Sequence, residues 1–79
     1  MALPKRPAVV ISFDSTTAAM EAEELFLSKG LPGRIIPLPR EISAGCGLSW
    51  KAAPGDEKVL LPALDEAGIE HSGVYSLVI

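Results

Sequence analysis

The chain has 79 residues, 48% of them hydrophobic, with seven Lys plus Arg against ten Asp plus Glu for a formal net charge of −3. That is the length of one small domain, which excludes a large self-contained enzyme with a deep cleft, and the apolar content excludes a disordered chain. The basic residues Lys5, Arg6, Lys29, Arg34, Arg40, Lys51 and Lys58 are scattered along the sequence, so no run of positive charge marks a nucleic-acid footprint.

Residues 1–7 carry Pro4 and Pro7 and no period, and are expected to form a flexible lead to one domain over residues 8–79. Ala8 to Phe13 is rich in β-branched residues and apolar on both alternating sets except at Ser12, the pattern of a central strand. Its Ala8-Val9-Val10-Ile11 part is the longest uninterrupted aliphatic stretch, far short of the roughly 20 residues that span a bilayer. Lys5 and Arg6 precede it without a small-residue cleavage pattern after it, so neither a membrane segment nor a secretory signal is expected. One cysteine cannot form an internal disulfide, and a cytoplasmic location in a reducing compartment is the expectation.

Asp14, Ser15, Thr16 and Thr17 offer helix-capping side chains, and Ala18, Ala22, Leu25, Phe26 and Lys29 follow at helical spacing. Leu25 and Phe26 should anchor the buried face, and Gly30 should end the helix. Arg34 to Leu38 reads as a second strand, placed at a sheet edge because Pro37 cannot donate to a ladder. Pro39 to Gly47 has neither period. Leu48, Trp50 and Ala52 alternate with polar residues, giving a third strand with those three on one face. Pro54 and Gly55 break it. Asp56 to Ala67 carries Leu60, Leu64 and Ala67 at helical spacing and stops at Gly68, with Pro62 expected to kink its first turns. Val74 to Ile79 is the last strand.

The order β-α-β-β-α-β predicts an α+β, ferredoxin-like βαββαβ domain, a four-stranded antiparallel sheet with both helices on one face. The helix-free face would then lack cover. Trp50, or Tyr75, Leu77 and Ile79, would lie on it and offer a surface for a partner or a homodimer.

The nine residues from Pro39 to Gly47 are long for a hairpin, whose loops commonly take about two to five, and such length marks a functional loop. Cys46, the only cysteine, lies between Gly45 and Gly47, which allow close backbone approach to a sulfur or an anion. A thiolate there would be a useful nucleophile. Arg40 would lower the thiol pKa and Glu41 would raise it. The opposing reading makes Cys46 a small buried hydrophobe.

Phe13-Asp14-Ser15-Thr16, Ala19, Ala22-Glu23 and then Ile36-Pro37-Leu38-Pro39-Arg40-Glu41-Ile42-Ser43-Ala44-Gly45-Cys46-Gly47-Leu48 closely resemble a family of small bacterial domains described as selenium/sulfur carrier-like proteins. The resemblance covers roughly residues 8–78, and Pro-Arg-Glu-Ile-Ser-x-Gly-Cys-Gly is its most specific part. It implies a carrier, more than a complete enzyme, that holds a persulfide or perselenide on Cys46. The loop residues Arg40, Glu41, Ser43, Gly45 and Gly47 would surround the cargo. A sulfur or selenium donor enzyme and an acceptor protein would be its partners, and no cofactor is implied.

His71 is the only histidine and is expected to be exposed and unpaired. One Cys and one His do not make a zinc site, so no metal is expected. Glu21, Glu23, Glu24, Asp65, Glu66 and Glu70 read as solvated helix faces. Two other classes stand beside the carrier: an interaction or regulatory module whose cysteine is structural, and a thiol redox protein, which the absence of a second cysteine disfavours.

Overall fold

In the computed structural model, which describes residues 5–42 and 47–79, the uncharged apolar run near the N-terminus forms β1 (Pro7–Ser12) at the centre of the sheet. There follow α1 (Thr16–Ser28), β2 (Arg34–Pro37), β3 (Leu48–Ala52), a 3-10 turn (Pro54–Asp56), α2 (Glu57–Ala67) and β4 (Gly73–Val78). The strand order is β2-β3-β1-β4, and every neighbouring pair is antiparallel. Each βαβ half is therefore split by a strand of the other half, the ferredoxin-like arrangement predicted above.

Alternation along β1 decides which side is covered. Val9, Ile11 and Phe13 join Trp50 and Ala52 of β3, Ala19, Ala22 and Phe26 of α1, and Leu60, Ala63 and Leu64 of α2 in one buried cluster, so both helices lie on the same face. Ala8, Val10 and Ser12 point the other way and are also buried, flanked by half-buried Tyr75 and Leu77, their cross-strand partners on β4. Of the two sets considered for the helix-free face, Tyr75 and Leu77 lie there and Trp50 does not. The reason is register: Trp50 pairs with Ile11, whose side chain faces the helices, and it packs against Phe26 with ring centroids 4.8 Å apart.

Both helices end as their glycines require. Gly30 takes φ 67°, its N–H donates to the Leu27 carbonyl, and the Leu31 N–H donates to the Phe26 carbonyl. This is the Schellman pairing, and the partly buried Leu31 packs on the core. Gly68 repeats it at φ 70°. α2 runs through Pro62, which is exposed, to Ala67. The proline has no N–H to donate to the carbonyl of Lys58, and both residues lie on an exposed side of the helix. The sheet begins earlier than the pattern suggests: Arg6 and Ile79 exchange backbone hydrogen bonds at 3.2 and 3.0 Å, and Pro7 is tolerated as the first residue of β1.

Gly33 enters β2 at φ 115°, and a Cβ there would lie 2.6 Å from the Lys51 carbonyl oxygen and closer still to Trp50 Nε1. Gly33→Ala is expected to lower stability by about 3 kcal/mol, combining left-handed strain with a clash against backbone. Gly30→Ala, at a positive φ in open space, should cost only about 1 kcal/mol. Urea midpoints read from Trp50 fluorescence check the ranking, and equal losses would contradict it.

Candidate functional site

β1 and β2 run in the same direction, so their C-terminal ends, the starts of β3 and β4 and the N-terminus of α1 all share one end of the sheet. The loop joining β2 to β3 belongs to that end. Its base is closed by the Leu38 N–H donating to the Gly47 carbonyl at 2.9 Å, which extends the ladder one step beyond the Pro37–Leu48 pair. Gly47 itself has φ 98°, a conformation that favours glycine, so that position of the motif has a backbone reason.

Inside the loop the Ile42 N–H donates to the Pro39 carbonyl at 3.0 Å, a four-residue turn with Arg40 and Glu41 at its central positions. Proline in the first position and two charged residues at the tip leave the turn solvated, while Ile42 is buried and anchors it. Arg40 and Glu41 are both exposed. Charges so placed act on their surroundings through water, where screening weakens them within about 10 Å. The remaining loop residues singled out from the sequence, Ser43, Gly45 and Cys46, lie outside the described residues.

Other groups gather at this end. Ser15 caps α1 by accepting from the Ala18 N–H at 3.0 Å, in agreement with the capping reading of Asp14 to Thr17. The Asp14 carboxylate accepts from the Ser72 hydroxyl, which ties the start of α1 to the segment before β4. His71 precedes that serine and is half-buried where exposure was expected, because the Asp14–Ser72 bond draws its segment onto the sheet end. Among the described residues, no group of three or more His, Cys, Asp or Glu side chains could hold a metal. No helix there is long and apolar enough to cross a membrane.

Directly inside the loop end, the last full row of the sheet on its helix-free face reads Ile36, Ser49, Ser12, Gly73. Ser49 and Ser12 are both fully buried. The Ser49 hydroxyl donates to the Ile36 carbonyl at 3.4 Å, whereas the Ser12 hydroxyl has no hydrogen-bond partner among the described residues. The period of β1 had singled out Ser12 as its one polar residue, but its isolation depends on pairing and could not be read from sequence. Ser12→Ala removes a desolvated hydroxyl and is expected to raise stability by up to about 1 kcal/mol. A loss of stability in urea unfolding would show that the hydroxyl has a partner.

The dispersed basic residues also behave differently in space. Strand pairing sets Arg34 directly opposite Lys51 and brings both into one groove with Arg6, at the end of the sheet away from the loop. Sequence spacing hid this grouping because each residue comes from a different strand or its flank.

No curated protein and no solved structure matches the chain. A family model described as "Putative Se/S carrier protein-like" matches residues 8–76, which takes in every element from β1 into β4 together with the whole loop from Leu38 to Gly47. The match covers most of the 79 residues and includes the motif that carried the resemblance in the sequence, and the chain belongs to this Se/S carrier protein-like family.

Proposed function

We propose that the protein accepts a terminal sulfur or selenium atom on Cys46 from a donor enzyme and passes it to an acceptor protein. The observation that supports this reading best is family membership over residues 8–76, with Pro-Arg-Glu-Ile-Ser-x-Gly-Cys-Gly standing in a long loop anchored by Ile42 and closed by the Leu38–Gly47 bond. A cytoplasmic, reducing setting suits a thiol with no internal partner.

The chemistry asks little of so small a chain. The Cys46 thiolate attacks the terminal sulfur of a donor persulfide. A new sulfur–sulfur bond forms on Cys46, the donor's bond breaks, and the donor cysteine leaves as thiolate. No net oxidation or reduction occurs. An acceptor thiolate repeats the exchange and regenerates Cys46, and a perselenide follows the same course with selenium as the transferred atom. The costly cleavage of a carbon–sulfur or carbon–selenium bond stays with the donor, so the carrier is not itself a complete enzyme.

In this reading Gly45 and Gly47 let backbone N–H groups approach the charged cargo, and Ser43 adds a hydroxyl donor. Arg40 and Glu41, at the exposed tip of the turn, meet the partner protein. Tyr75 and Leu77 on the helix-free face are the apolar surface that such a partner, or a second copy of the chain, would cover. The test is loading. Incubated with a cysteine desulfurase and cysteine, or with selenocysteine lyase and selenocysteine, the protein should gain the mass of one sulfur or one selenium. No gain from either donor would favour the module reading, with a structural cysteine.

A further inference from the structure

The two edges of the sheet are built differently. β2 closes one side with four residues, and it carries the Arg34 charge and Pro37, which has no N–H to offer. Short length, charge and proline are the devices that keep a free edge from pairing with another chain. β4 closes the other side with six residues, Gly73–Val78, none of them charged and none of them proline. It has no such protection.

Hydrogen bonding to β1 fixes what that edge presents. Arg6 and Ile79 exchange both backbone bonds, at 3.2 and 3.0 Å, so antiparallel alternation turns the N–H and C=O of Val78, Ser76 and Val74 away from β1. Among the described residues no strand or loop pairs with these groups. The side chains agree. Ser76 is exposed, Val78 is 58% exposed, and Tyr75 and Leu77 are only half-buried. No charged residue lies between Gly73 and Ile79, so two copies of this segment meet without like charges opposed, even in a chain of net charge −3.

We propose that two copies of the chain join edge to edge through β4, antiparallel about a two-fold axis at Ser76, making one eight-stranded sheet from two four-stranded ones. The register follows from two conditions. Both helix layers stay on one side only if each residue meets one of the same face, and bonds form only where outward-pointing groups oppose each other. Pairing Ser76 with its own copy, and Val74 with Val78 of the second copy, meets both conditions and uses every outward residue of β4. An axis one residue to either side leaves Val74 or Val78 without a partner. This register covers exposed Val78 with Val74 and sets Tyr75 against Leu77 on the helix-free face, as apolar cross-strand pairs. The interface is isologous, as a two-fold dimer requires. Because the joined strands run antiparallel, the loop-bearing ends of the two copies fall at opposite ends of the sheet, and the dimer does not depend on the carrier chemistry.

The test is sedimentation equilibrium of the full chain in dithiothreitol, which excludes a Cys46 disulfide, and it should give twice the 8.3 kDa of one chain. Ser76→Lys and Ser76→Glu each set like charges face to face on the axis without touching the bonds to β1, and each should raise the dimer dissociation constant by about tenfold or more at low salt. Mixed in equal amounts, the two should form a dimer again, since unlike charges then oppose each other. Should the Ser76 variants lose the circular dichroism of the fold, Val78→Lys, at an exposed position, should weaken the dimer in the same way. Leu27→Lys, on the exposed side of α1, should leave it unchanged. A wild type that stays monomeric up to its solubility limit, a folded Ser76→Lys protein that dimerises as well as wild type, or equal weakening by Leu27→Lys would overturn the proposal.

Discussion

Trp50→Ala is expected to lower the stability of the domain by about 4–6 kcal/mol. Trp50 is 1% exposed, stacks in a tilted pair on Phe26 and donates its indole N–H to the Pro32 carbonyl at 3.0 Å. It thereby joins β3, α1 and the segment that leads into β2. Truncating a buried tryptophan to alanine costs about 3–5 kcal/mol, and the carbonyl left without its donor adds about 1 kcal/mol. A domain of this length has a total stability of roughly 4–12 kcal/mol, so one substitution removes from about a third to all of it. Far-UV circular dichroism during urea unfolding checks this without needing the lost fluorophore. Trp50→Phe keeps the aromatic contact and gives up the hydrogen bond, so it should fold with a loss of about 1–3 kcal/mol. A folded Trp50→Ala with a near-native midpoint would contradict the assigned core.

How much of this was visible beforehand depends on whether a feature is local. Gly30 and Gly68 end their helices because each helix needs a left-handed residue at that point, and a glycine after an apolar period announces it. Pro37 marks β2 as an edge strand through a missing donor, and the sheet order places it there. The alternation of Leu48, Trp50 and Ala52 showed that they share a face, but not which one. Both faces of the sheet bury apolar residues from β1, and only the Ile11–Trp50 register assigns the side. The grouping of Arg6, Arg34 and Lys51 was invisible for the same reason, since pairing between distant strands creates it. His71 was read as an exposed residue because nothing nearby in sequence shows that Ser72 is held by Asp14.

The loop motif divides along the same line. Its letters are contiguous and could be recognised at once, and the matched family spans them. The turn that puts Arg40 and Glu41 at an exposed tip follows from the Pro39–Ile42 hydrogen bond, which no residue pattern displays. The opposing effects first assigned to these two charges depend on their distances to sulfur, and in water both are screened.

The central claim concerns one sulfur atom. Carrier chemistry requires Cys46 to be reachable from outside and to form a persulfide whose terminal atom an external thiol can remove. Cys46→Ser replaces sulfur with a hydroxyl that cannot hold such an atom, so loading should fall to background while circular dichroism and the urea midpoint stay at their wild-type values. The deciding measurement is intact-protein and peptide mass analysis of wild type and Cys46→Ser after incubation with a cysteine desulfurase and cysteine, with selenocysteine lyase and selenocysteine as the parallel arm. The account predicts one added sulfur or selenium on the Cys46 peptide of the wild type, its removal by dithiothreitol, and no addition to the serine variant. Wild-type protein that gains no mass from either donor, with a thiol that also resists iodoacetamide in the folded state, would contradict it.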